Sequence, residues 1–95
     1  MMIVSFRDKR TAQFAKGELV REFAAFARQA SKRLEVLDAA TNLDDLRALR
    51  SNRLEALKGD RAGQFSIRVN EKWRICFHWP RGALGPQDVE IVDFH

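Results

Sequence analysis

Glu55, Lys58, Arg68, Arg74, Asp93 and His95 bring carboxylates, an imidazole and several cations into the second half of this 95-residue chain. That set matches a known chemical need. Cleaving RNA without a metal takes a base for the proton of the 2′-hydroxyl, cations for the charge that builds on the phosphate, and an acid for the departing oxygen. Histidine suits either proton-transfer role because its unperturbed pKa of roughly 6.5 lies near neutrality. His95 is also a chain-end residue, and such residues are more often frayed than catalytic. Phe94, its neighbour, is a candidate for stacking on a base.

Other chemistries have less to work with. Two histidines, His78 and His95, and the lone Cys76 form no ligand pair at helical spacing, so neither a zinc site nor a disulfide framework is expected. Gly59-Asp60-Arg61-Ala62-Gly63 lacks the Lys-Ser/Thr ending of a phosphate loop and reads as a turn. Ser66, His78 and Asp93 contain the members of a hydrolytic triad, but no nucleophile-elbow context surrounds the serine.

Charge points to the same half of the chain. Between Arg53 and Arg81 lie seven cations and three acids, which accounts for the whole net charge of +4, while the remainder is balanced at ten against ten. An anion-binding surface is therefore expected there. The length predicts a single domain over 1–95. The lone cysteine favours a reducing, cytoplasmic setting, and charges from Arg7 onward leave no core for a secretion signal. No apolar run approaches the roughly 20 residues that cross a bilayer, so a soluble protein without a membrane partner is expected.

The elements that must position these residues follow from periodicity. Met2–Phe6 reads as a short strand, and Lys9–Lys16 as a short helix stopped by Gly17. Leu19, Phe23, Phe26, Ala27, Ala30, Leu34 and Leu37 fall on one helical stripe, opposite a solvated face of Arg21, Glu22, Arg28, Lys32, Arg33 and Glu35. Thr41 or Asn42 is placed to cap a further helix carrying Leu43, Leu46 and Leu49. Phe65, Ile67 and Val69, and then Trp73, Ile75, Phe77 and Trp79, alternate with polar residues and predict a hairpin. Asp88–Phe94, apolar on both faces, is expected as a central strand. Strands after helices indicate an α+β domain, with a small antiparallel-dominated sheet, N-terminal helices packed on one face and the other face free to bind.

Hairpin register decides which side chains meet. A two-residue loop would set Ile67 against Arg74, whereas a three-residue loop, Asn70–Lys72, pairs Val69 with Trp73, Ile67 with Ile75 and Phe65 with Phe77. The second register keeps the apolar face whole, and with it both tryptophans as core residues. It also sets Arg68 opposite Arg74, a repulsive pair unless a phosphate or a carboxylate, Glu90 or Glu55, lies between them. Arg68 and Arg61 are the cations expected to bind substrate. Cys76 and His78 share the face of Arg74.

Leu57-Lys58-Gly59-Asp60-Arg61-Ala62-Gly63, Ser66-Ile67-Arg68-Val69, Trp73-Arg74-Ile75 and the ending Asp88-Val89-Glu90-Ile91-Val92-Asp93-Phe94-His95 resemble the HigB toxins of the RelE/ParE superfamily. The opening, Ile3-Val4-Ser5-Phe6-Arg7-Asp8-Lys9, also fits. The resemblance implies a RelE-like, microbial-ribonuclease-like fold and a type II toxin that cuts mRNA in the vacant A site of a ribosome. It also implies inhibition by a helix-turn-helix antitoxin, and no cofactor, because the 2′-hydroxyl is the nucleophile. On this likeness Lys58 and Arg74 hold the scissile phosphate, and Asp93 and His95 are the acid–base pair.

Some relatives have tyrosine at Phe94 and histidine at Glu55. This chain has no tyrosine, so a phenolic donor is absent. Glu55 then becomes a base alongside Asp93, with His95 as acid, and activity lower or differently pH-dependent. Two other classes fit the same fold: a ParE-like toxin that binds a topoisomerase without using Asp93 and His95, and a basic RNA- or ribosome-binding module without chemistry, in which Lys58 and Arg74 set only salt-dependent affinity.

Overall fold

Three helices precede four strands in the computed structural model, which describes residues 2–93; Met1, Phe94 and His95 lie outside the described residues. Helix α1 spans Lys9–Ala15, α2 Ala27–Ala39 and α3 Leu43–Ala48. Strands β1 (Glu55–Ala56), β2 (Gln64–Arg68), β3 (Trp73–His78) and β4 (Gln87–Asp93) form an antiparallel sheet in the order β1-β2-β3-β4. The α+β class with helices on one face is as the alternation predicts. No helix among the described residues is long and apolar enough to cross a membrane.

Helix and sheet close on one another through the faces that periodicity assigns. Phe23, Phe26, Ala30, Leu34, Leu37 and Leu46 bury against Ile67, Val69, Ile75, Phe77, Val89 and Ile91. Trp73 and Trp79 pack beside this core, and the Trp73 ring lies 4.8 Å from that of Phe26 and 5.7 Å from that of Phe23. The β2–β3 register is the three-residue-loop one, with Phe65 opposite Phe77, Ile67 opposite Ile75 and Arg68 opposite Arg74. Asn70 fixes the turn, its side-chain oxygen accepting from the amides of Lys72 and Trp73.

The long stripe is not one helix. Gly17 ends α1 at a φ of +94°, and residues 18–20 run without helix, which leaves Leu19 88% exposed. Arg21–Phe26 then forms a 3₁₀ helix before α2. With three residues per turn, Phe23 and Phe26 fall on one side, and both rings reach Trp73. The shorter stripe of Leu43, Leu46 and Leu49 is cut back likewise: Leu46 is buried, but Leu49 lies beyond α3 and is exposed. Asn42 is the cap, accepting from the Asp45 amide at 3.0 Å.

The expected N-terminal strand and the central place of the last strand both require correction. Residues 2–6 run extended beside β4 with a single parallel bridge, Phe6 to Val89. Val89 donates to the Ser5 carbonyl at 3.1 Å and Arg7 to the Val89 carbonyl at 3.0 Å. β4 is thus the last strand of the sheet, yet its outer edge is covered, since the Ile91 amide donates to the buried Thr11 hydroxyl of α1. It is apolar on both faces because Val89 and Ile91 enter the main core while Val92 joins Leu57 and Cys76 on the opposite face.

Candidate active site

Strand register assembles the open face of the sheet in rows. Glu55 pairs with Ser66, Ser66 with Cys76, and Cys76 with Glu90, which gives one row across all four strands. The next row is Arg68, Arg74 and Val92. Directly paired residues share a face. Glu55, Arg68 and Arg74 therefore stand on the side away from the helices, as do Cys76 and His78.

Arg74 is the best-held cation on this face. Its Nε donates to Ser66 Oγ at 2.7 Å, and Nη2 donates to the carbonyls of Arg53 at 2.6 Å and Ser66 at 3.4 Å. Arg53 offers that carbonyl from a left-handed backbone, φ 46° and ψ 53°, a conformation that costs a non-glycine residue of order 1 kcal/mol. Burial pulls the Arg74 pKa below its usual value, and Glu55 opposes that shift. The fork is held by uncharged oxygens, so its charge remains directed at whatever enters the face.

The repulsive pair is resolved by divergence. Arg68 turns its Nε to the Asn70 carbonyl at 3.2 Å, away from the acceptors of Arg74. Glu90, named from sequence as a candidate partner for these arginines, instead accepts from Arg61 Nη1 at 3.2 Å and stands 3.8 Å from Arg7 Nε. Arg61 also donates to Gln64 Oε1 at 3.0 Å. This tie leaves Arg61 fixed on the open face with part of its charge balanced. Between the charged groups, Leu57, Cys76 and Val92 form a small buried apolar patch. Burial pushes the Cys76 thiol up to about 11, which makes it a packing group rather than a nucleophile at neutral pH.

Lys58 precedes the 3₁₀ turn Gly59–Arg61 and is exposed, beside the end of β1. Asp93 is opposed to Trp73, one residue beyond the Arg74–Val92 pair, so alternation sends its side chain to the other side of the sheet end. There it is exposed, with Lys72 Nζ 3.4 Å away. His95 and Phe94 lie outside the described residues. Ser66, the possible nucleophile of a triad, has its hydroxyl oxygen engaged by Arg74. Among the described residues no three His, Cys, Asp or Glu side chains gather as metal ligands.

Ser66 and Arg53 hold Arg74 in place, and residue types alone miss that part of the arrangement. Ser66 was readable from register, since the three-residue loop sets it diagonally across from Arg74. Arg53 had no such signal, because its contribution is a backbone carbonyl in a conformation that no local residue preference announces.

A family model described as the RelE-like toxin of the type II toxin-antitoxin system HigB matches residues 4–95. The chain is 36% identical over 84 residues to "Toxin HigB-1" of Vibrio cholerae, covering 86% of this chain and 88% of that protein. It is 37% identical over 95 residues to "Endoribonuclease HigB" of Proteus vulgaris, covering 99% and 100% of the two chains. A "YoeB/ParE toxin from Agrobacterium tumefaciens" superposes with a TM-score of 0.53 over 100% of this chain and 99% of its own, at 17% identity, a likeness of fold.

Proposed function

This chain belongs to the HigB family of RelE-like toxins of type II toxin–antitoxin systems, and from that premise we propose that it is a ribosome-dependent endoribonuclease that cuts mRNA in the A site. The observation that carries the reading is Arg74, a cation clamped by neutral oxygens on an open sheet face beside Glu55. Membership in such a system also brings an antitoxin partner, here a helix-turn-helix protein of the HigA kind. Action on the ribosome sets the protein in the cytoplasm.

Glu55 takes the proton of the 2′-hydroxyl, and the oxygen attacks the adjacent phosphorus. As the P–O5′ bond breaks, His95 delivers a proton to the leaving oxygen, and the product end is a 2′,3′-cyclic phosphate. Arg74 and Lys58 stabilise the charge on the phosphorane oxygens. Glu55 is preferred to Asp93 as base because it shares the face of Arg74, whereas Asp93 stands on the other side of the sheet end. Asp93 is the alternative base. Arg68, Arg61 and Phe94 bind the flanking RNA.

The test is message cleavage on programmed ribosomes with a vacant A site, comparing the wild type with Arg74→Ala, Glu55→Gln and His95→Ala, beside the same message as naked RNA. A ribosome-dependent cut with a cyclic phosphate end, depressed about 10²- to 10⁴-fold in the variants, is expected. A folded wild type that halts growth without cutting RNA would exclude this reading and leave the topoisomerase-binding or RNA-binding ones.

A further inference from the structure

A cleft of about 470 Å³ lies between α2, the Arg50–Asn52 turn and the β2–β3 turn, lined by Gln29, Arg33, Arg53, Arg68, Asn70 and Glu71 among others. Three of these side chains are cations and one is an acid. Among the described residues none of the three arginines forms an ion pair, in contrast to Arg7, Arg10, Arg47, Arg61 and Lys72. Closely set arginines without carboxylate partners repel one another unless an anion joins them.

The cleft is also built to hold its cations in place. Arg33 Nη1 donates to Asn52 Oδ1 at 2.7 Å, and the Asn52 amide in turn donates to the Leu46 carbonyl at 3.0 Å. Asn52 is fully buried, so its amide fixes the guanidinium from inside the fold without neutralising it. Arg53 serves both places: its carbonyl accepts from Arg74, and the residue also lines the cleft. Arg68 likewise belongs to both, opposite Arg74 in the sheet and on the cleft wall.

We propose that this cleft is a second phosphate subsite, in which Arg33 and Arg53, with Arg68 shared between cleft and arginine pair, hold a backbone phosphate of RNA beside the one at Arg74. The subsite rests on the RNA-cleaving reading and extends it. Its ligand is a phosphodiester, supplied either by the message next to the scissile bond or by ribosomal RNA at the A site. Its role is binding and register rather than proton transfer.

The probe is a fully 2′-O-methylated RNA oligonucleotide, which cannot be cut, measured against KCl concentration alone and on programmed ribosomes. Arg33→Gln removes the charge and leaves an amide donor on a side chain two atoms shorter, and Arg53→Asn keeps the carbonyl in a residue that tolerates the left-handed conformation, with the thermal midpoint checking that each variant is folded. Each should weaken binding about fivefold and lower the slope of log K against log salt by about 0.7, the value for one phosphate on a single strand. In cleavage of the natural message the loss should fall on KM more than on kcat.

Loss on the free oligonucleotide assigns the phosphate to the message, and loss only on the ribosome assigns it to ribosomal RNA. Folded variants with unchanged affinity and slope would overturn the subsite and leave the Arg33–Asn52 contact a strut. If the variants show the slope change but the wild type cuts no RNA, the subsite stands and the nuclease reading falls.

Discussion

Arg74 directs its nitrogens to Ser66 Oγ and the Arg53 carbonyl, oxygens that orient a guanidinium without cancelling its charge. That requirement is geometric, because two acceptors on different elements need a planar fork, which a lysine ammonium does not supply. Arg74→Lys is therefore expected to fall nearly as far as Arg74→Ala, by about 10²-fold or more in single-turnover cleavage, although charge is kept. Recovery to within a few-fold of wild type would mean that a point charge suffices. Cys76, next to it on the open face, gives a prediction in pH. Its folded pKa of about 11 exceeds the ordinary thiol value of 9.0 because burial penalises the thiolate. Between those values the unfolded chain has lost the proton that the folded chain retains. Stability contributed by the thiol is thus whole below about pH 9 and declines as pH rises toward 11, by of order 2 kcal/mol. Denaturant unfolding of the wild type should fall more steeply over that window than that of Cys76→Ala; parallel curves would remove the thiol from the account.

Among the elements, the hairpin was the most legible, because an apolar face that must stay continuous permits one loop length, and Arg68 opposite Arg74 followed from it. The helical stripe was legible in which residues it buries and not in how. A spacing of three between Phe23 and Phe26 fits α and 3₁₀ geometry alike, and only the contact with Trp73 distinguishes them. β1, two exposed residues, has no alternation to read, although it carries Glu55. The N-terminal segment misled for a different reason: it is held by a close approach to the loop before β4, not by a ladder of its own, and it is at most half-buried, with Val4 exposed. Gly85 marks that approach. A Cβ there would lie 1.7 Å from the Met2 carbonyl oxygen, and Val4 donates to the Pro86 carbonyl just beyond. Gly85→Ala must push the segment off the β4 edge, which should cost about 1–3 kcal/mol or more and expose the Val89 and Arg7 amides to hydrogen exchange. An unchanged thermal midpoint would show that the segment adapts freely.

At the scale of the molecule, one side of the sheet is committed to the helical core and the other to cations, so folding and recognition use separate faces. The cations between Arg53 and Arg81 include Arg68 and Arg74 on the open face, Arg61 tied to Gln64 and Glu90 upon it, and Arg53 along its border. A surface arranged in this way attracts RNA before any base or acid acts, and the attraction depends on displaced counterions. If about four phosphates are contacted at roughly 0.7 each, raising KCl from about 50 to 200 mM at fixed magnesium should raise KM about 50-fold. The rate at saturating ribosomes should move far less, because proton transfer occurs within a complex already formed and shielded from the bulk ions. Titrating programmed ribosomes at several salt concentrations separates the two quantities. A KM indifferent to salt would mean that the apolar patch of Leu57, Cys76 and Val92 and shape carry recognition, and that the basic face serves only the scissile phosphate. A fall in the saturated rate instead would place a salt-sensitive step, such as seating the message against Arg74, after binding.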